Sequence, residues 1–246
     1  MLPQESKPTL PNFEEIFLPK APLIVVLAQI KFSSILLIQD QKNLAQFQEA
    51  LREFYPGFQS IQGLFPVVDQ ATGLASLTPQ PVWQFSDSEK KWKITLAVEF
   101  IAIETNSYTS RSEFIQKFKF VLDRLHDCFQ PKLSTRVGIR YIDRLTNEAL
   151  PKISSLVKPP LLGVFGSDLK PMVNSAISES VFIENGNQIY VRWGLLPANS
   201  TIDPLVIKPV KNTSWILDID VSNSVPKTWS SDQLSAELDG LARTSY

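Results

Sequence analysis

This chain of 246 residues has one cysteine, one histidine, nine glycines, no marked charge excess and no long apolar run. Each shortage excludes something. A lone Cys128 cannot form an intramolecular disulfide and fits a reducing cytoplasm. With His126 as the only imidazole and two residues from that cysteine, the pair falls on different sides of a helix, so a Cys-His nucleophile is not available. A zinc site, which needs several His or Cys ligands, lacks them too. None of the glycines has the spacing that cradles a phosphate, so no nucleotide fingerprint is present. With 24 basic and 25 acidic residues, no global field draws the protein to nucleic acid or an acidic membrane. No stretch approaches the length of a membrane span, and the acidic, proline-bearing start does not read as a signal peptide. A cytoplasmic protein needing no cofactor is expected.

What is present reads as α+β. Residues 1–22 hold five prolines and read as an extended arm, packed through Phe13, Ile16 and Phe17. PLIVVLAQIKF (22–32) alternates as a buried strand does. After Asp40, an N-cap residue, Leu44, Phe47, Leu51 and Phe54 recur at helical spacing until YPG. A linking stretch is expected over about 59–81. VWQFSDSEKKWKITLAVEFIAIE then predicts two strands about a polar turn, the second running unbroken from Trp92. Ser110 and Glu113 form a capping box ahead of Phe114, Phe118, Val121, Leu125 and Phe129. RVGIRYIDR (136–144) completes a β-α-β-β-α-β order, the pattern of a ferredoxin-like unit over 23–147.

Residues 148–174 read as an irregular connection, and 175–246 as a second α+β unit of antiparallel sheet plus helix. Asn185-Gly186 between alternating runs is a strong hairpin signal, because both turn positions take positive φ. Trp215, Leu217, Ile219 and Val221 share one strand face, and Asp218 and Asp220 the other. Leu234, Leu238 and Leu241 open a helix predicted to pack on that apolar face. With no C-cap in sight, this unit is expected to continue beyond Tyr246.

The 136–144 strand carries the main candidate site. Period-two alternation puts Arg136, Gly138, Arg140 and Arg144 on one face. In a ferredoxin-like sheet this last strand would be an edge beside the first, with Gln29 and Lys31 as neighbours, so neutralisation of the stripe would be incomplete. Gly138 would leave a flat gap for a phosphate, a base or a partner side chain. Against a nucleic-acid platform, the matching face of the first strand reads Leu23, Val25, Leu27 and wants to be covered. Asp218 and Asp220 form the one arrangement that could hold magnesium for phosphoryl or nucleotidyl transfer, with Arg192 offering a neutralising partner instead. The expectation is a non-enzymatic adaptor or accessory subunit that docks a partner protein through Arg136, Gly138, Arg140 and Arg144. RNA or DNA binding at the same arginines is the alternative, and the Asp218–Asp220 transferase the second alternative.

The first strand, the hairpin, the Phe-rich helix and above all RVGIRYIDR resemble a sporadically distributed, functionally uncharacterised prokaryotic family of similar length, whose members carry an Arg-Ile-Gly-Leu-Arg-Tyr-Ile-Asn block. Val137 and Ile139 are conservative departures from that block, and Asp143 stands where the family tends to have Asn. The resemblance implies a scattered distribution of the kind seen for mobile-element or defence genes, and no activity.

Overall fold

A computed structural model describes residues 21–68 and 75–245. The expected N-terminal arm, with Phe13, Ile16 and Phe17, lies outside the described residues but for its last two. The described residues form a mixed α/β fold whose strands join in one antiparallel sheet of ten. β1 (Leu23–Phe32) is followed by α1 (Gln41–Leu51), β2 (Gly57–Val68), β3 (Ala75–Ser86), β4 (Trp92–Ala97), β5 (Phe100–Thr105), α2 (Arg111–Phe129) and β6 (Leu133–Thr146). Short helical turns α3 (Ile153–Leu156) and α4 (Pro159–Leu162) lead to β7 (Ala176–Glu184), β8 (Asn187–Leu196), β9 (Ser214–Asn223), the two-residue β10 (Lys227–Thr228) and α5 (Ser231–Thr244). Across the sheet the order is β2-β3-β4-β5-β1-β6-β9-β8-β7, with β10 beside the start of β6.

The long helices form where their caps and apolar spacing dictate. Asp40 accepts from the Asn43 amide at 3.0 Å, Ser110 from Glu113 at 3.2 Å and Ser230 from Gln233 at 3.4 Å, each satisfying a donor that the first helical turn leaves open. Helix α2 ends on Gln130 in the left-handed region, φ 47°. Its buried stripe, Phe114, Phe118, Val121, Leu122, Leu125 and Phe129, meets Leu44, Phe47 and Leu51 of α1 and Leu234, Leu238 and Leu241 of α5 over Val26, Ala28, Ile30, Val137 and Ile139 of the sheet. At about 1.5–3 kcal/mol per large apolar side chain, this is the dominant favourable term in the fold. Arg111 of α2 donates to Asp239 of α5 at 2.8 Å and ties the two helices at the rim. No helix among the described residues is long and apolar enough to cross a membrane.

Three local expectations are corrected. The stretch 59–81 is not a linker but most of the long β2–β3 hairpin, whose turn region 69–74 is not described. Pro79 and Pro81 are tolerated there because β4 reaches only Trp83 to Ser86, so the missing N–H groups face no second neighbour. The expected single strand from Trp92 folds back at Val98-Glu99, where Ala97 pairs with Phe100. That reversal has no Gly, Pro or Asn to announce it; the carbonyls of Val98 and Glu99 instead accept from Ile35 at 2.8 Å and Phe32 at 2.9 Å, so tertiary partners hold the turn. Most consequentially, β6 is not an edge. It lies between β1 and β9, pairing Arg140 with Leu27 on one side and with Asp220 on the other.

The helices cover one sheet face. On the opposite face the segment 197–213 runs back over the strands as a strap, held by the Thr201 hydroxyl donating to the Ile207 carbonyl at 2.6 Å and by the Asn199 amide donating to Val210 at 2.7 Å. Buried Ile207 anchors it on Ile142, Leu196 and Ile216, with Ile24 and Val25 at the margin. A register shift between Leu23 and Val25 turns Ile24 away from the helix side.

Candidate functional site on the strapped sheet face

The arginine stripe lies on this second face, but most of it is engaged. Arg140 donates through Nε to Asp218 Oδ1 at 2.7 Å, through Nη2 to Asp218 Oδ2 at 2.9 Å and through Nη1 to Asp203 at 2.8 Å. Arg192 of β8 reaches the same Asp218 from the other side at 2.6 Å. Burial alone would lower the pKa of Arg140, but the carboxylates of Asp218 and Asp203 outweigh it and hold the guanidinium charged. Asp218 is 2% exposed, so this is a buried Arg-Asp-Arg cluster with the strap's Asp203 as a fourth member.

Arg136 crosses over Gly138 to Asp220, donating to its two oxygens at 2.9 and 3.2 Å. A Cβ on Gly138 would sit 2.6 Å from Nη1 and 2.9 Å from Cζ of Arg136. The gap expected at Gly138 is therefore filled by the chain's own guanidinium, and incomplete neutralisation, expected of the whole stripe, fails for Arg136 and Arg140, to which β9 supplies carboxylates, and holds for Arg144. Asp220 has its pKa raised by desolvation, against the opposing pull of Arg136 and Arg140. Asp218 and Asp220 thus face guanidinium groups, and among the described residues no group of three or more His, Cys, Asp and Glu side chains could hold a metal. His126 is exposed and Cys128 half-buried near the end of α2, away from this face; burial pushes the Cys128 thiol up.

Arg144 is different. Its Nη1 donates to the Lys208 carbonyl of the strap at 2.9 Å, while Nε and Nη2 are buried with no hydrogen-bond partner among the described residues, and desolvation lowers its pKa. Among the described residues it lines a cleft of about 630 Å³ between the strap and the strands, together with Lys90, Lys91, Lys93, Lys208 and a single carboxylate, Glu104. Two of the lysines are locally matched, Lys93 to Glu104 at 2.6 Å and Lys91 to Glu89. Lys90 and Lys208 have no carboxylate within ion-pair distance among the described residues. The β3–β4 turn presents Lys90 and Lys91 because Asp87 organises it, accepting from the amides of Lys91 at 2.8 Å and Trp92 at 3.0 Å, with Lys90 in the left-handed region at φ 56°. Val206 separates this cleft from a smaller one, about 260 Å³, lined by Lys31, Arg136, Gly138 and Arg140. Of the cleft's cations only Arg144 belongs to the expected stripe; Lys90, Lys91 and Lys208 were not expected there, and the run Lys90-Lys91-Trp92-Lys93 was the available signal.

Asp143, next to Arg144, points to the helix side and has no hydrogen bond or ion pair among the described residues. Desolvation raises its pKa from the ordinary value to about 6. The native state therefore keeps a proton that the unfolded chain gives up at lower pH. The stability this group contributes is complete below about pH 4 and is lost as pH rises through about 6. Asp143→Asn should remove the penalty, raising stability at pH 7.5 by up to about 3 kcal/mol and bringing no gain at pH 4. Thermal melts at the two pH values check this; an equal gain at both would place the cause elsewhere than in titration.

No protein-family model matches the chain, and no curated protein matches it.

Proposed function

We propose that the protein is a non-enzymatic adaptor or accessory subunit that seats an acidic segment of a partner protein in the cleft beside Arg144. The observation that carries this reading is the lining itself: among the described residues, five cations against one carboxylate, with two buried donor nitrogens of the Arg144 guanidinium unpaired. Leaving such donors unmet costs about 1–3 kcal/mol per group, which a carboxylate from a partner would recover. The cleft holds Gln59, Gln84, Ser86, Thr105 and Asn106 as its other polar residues and no paired nucleophile and base. Apolar Ile24, Val25 and Val206 suit a segment that mixes acidic and aliphatic residues. The order β4-β5-β1-β6, with α1 and α2 behind it, supports reading the first part of the chain as a ferredoxin-like unit into which the β2–β3 hairpin is inserted. The resemblance carried by Arg136, Gly138 and Arg140 would place such an adaptor in a mobile-element or defence setting in a prokaryotic cytoplasm.

A nucleic-acid strand is the second reading, favoured by one feature: Phe58, 43% exposed, lines the cleft beside the lysines and offers a ring for stacking. Fluorescence anisotropy separates the two. A labelled peptide alternating Glu and Leu should bind, and Lys90→Glu with Lys208→Glu should weaken it at least tenfold without changing the thermal midpoint. Tighter binding of a labelled single-stranded oligonucleotide, with affinity falling steeply with salt in proportion to the phosphates contacted, would replace the first reading by the second. No binding of either probe would remove both.

A further inference from the structure

Among the described residues β7 is the outer strand of the sheet and pairs with β8 alone. An outer strand carries a row of free N–H and C=O groups, which proteins usually protect with lysine, proline or a bulge. Residues Ala176–Glu184, AISESVFIE, contain neither lysine nor proline, and the pairing with β8 runs without a register shift. Instead, Val181, Phe182 and Ile183 are 57, 54 and 67% exposed. Because successive side chains alternate, Val181 and Ile183 lie on the strapped face, with Tyr190 and Gln188 beside them, while Phe182 lies on the helix face beside Ile189. The edge is therefore apolar on both faces over one short stretch.

We infer that this edge is a dimer interface, closed by β7 of a second copy of the chain. The register of the strand points to this pairing. Two antiparallel β7 strands related by a two-fold axis perpendicular to the sheet must have that axis through a residue, since directly opposed side chains share a face. With the axis at Phe182, Val181 stands opposite Ile183 of the second copy, Phe182 opposite Phe182, Ser180 opposite Glu184 and Glu179 opposite Asn185. Each of the three exposed apolar residues meets an apolar residue and no like charges face each other. Moving the axis to Val181 sets Glu179 against Ile183; moving it to Ile183 sets Glu184 against Phe182. Both bury a carboxylate against hydrocarbon. The axis at Phe182 is the register the sequence is built for, and it joins the two sheets into one. This inference is independent of the cleft and of what the cleft binds.

Sedimentation equilibrium of the purified chain should show a dimer, and Phe182→Lys should give a monomer with unchanged circular dichroism and thermal midpoint. A cross-link tests the register itself: in a Cys128→Ser background, Phe182→Cys should oxidise to a disulfide-linked dimer, since opposed residues across the axis stand within disulfide reach. Glu179→Cys, displaced from the axis, should not. A wild-type protein that is monomeric up to its solubility limit, a dimer that survives Phe182→Lys, or oxidation that favours the Glu179→Cys variant over Phe182→Cys would each overturn the proposal.

Discussion

Asp218→Ala should cost the protein about 3–5 kcal/mol of stability, enough to consume most of the margin of an ordinary domain. Asp218 is 2% exposed and is shared by Arg140 at 2.7 Å and Arg192 at 2.6 Å. Deleting it leaves two guanidinium groups, each under 15% exposed, facing one another with only Asp203 between them. The penalty arises less from the lost attraction than from charge left without a counter-charge where water is scarce. Arg140→Ala should be milder, because Asp218 keeps Arg192 and Asp203 keeps a weaker contact to the same residue at 3.9 Å. Urea denaturation of the two variants gives the ranking directly. A loss below about 1 kcal/mol for Asp218→Ala would mean that the pocket hydrates readily and that the cluster does not hold the sheet together.

Gly194→Ala should be comparably damaging for a different reason. Gly194 lies within β8 at φ 140°, a conformation that L side chains rarely adopt. An added Cβ would collide with the Ala176 carbonyl oxygen and lie 2.9 Å from its carbon, and these are backbone atoms of the paired strand that have no rotamer in which to retreat. The variant must break the β7–β8 pairing locally or reshape β8, with an expected loss of about 3 kcal/mol or more and a fall of ~10 °C in Tm. Gly240→Ala is the matched control. Nothing lies within 4 Å of a Cβ at that position in α5, so the same substitution should stabilise the helix by about 0.5–1 kcal/mol. Similar losses at both sites would point to a general intolerance of the chain and away from the close approach at Gly194.

What the sequence disclosed follows the range of the forces involved. Helices α1, α2 and α5 were legible because their apolar stripes are local, with Asp40 and Ser110 marking the first two starts; Ser230 caps α5 by the same chemistry without having been singled out. Asn185-Gly186 turns the β7–β8 hairpin at φ 50° and 79°, as its composition requires. The reversal at Val98-Glu99 was not legible, since the groups that stabilise it come from residues 32 and 35. The same holds for the arginines. Alternation placed Arg136, Arg140 and Arg144 on one face, but their partners are Asp220, Asp218 and the Lys208 carbonyl, more than sixty positions away. Only the pairing of β6 with β9 brings those carboxylates under the stripe, and no local pattern encodes which strand lies beside which. Arg144 was singled out as one of three equals; its distinction is that β9 provides no acid opposite it, where Ile216 stands.

The central position of β6 also bears on how the chain reaches its native state. β6 pairs with β1, some hundred residues earlier, and with β9, some eighty residues later. Contacts at such separation close large loops before they return any energy, which makes for slow folding compared with chains dominated by neighbouring contacts. During synthesis from the N-terminus, β1, β5 and β6 can assemble first, leaving the β9 side of β6 bare, with Arg140 and Arg136 facing water in place of carboxylates. Until β9 and α5 emerge, the nascent protein carries an unpaired strand edge and an uncovered apolar face in α2. Charge on that temporary edge keeps it hydrated and discourages pairing with the wrong strand, so the arginines of β6 would act as gatekeepers against aggregation before they become structural ion pairs.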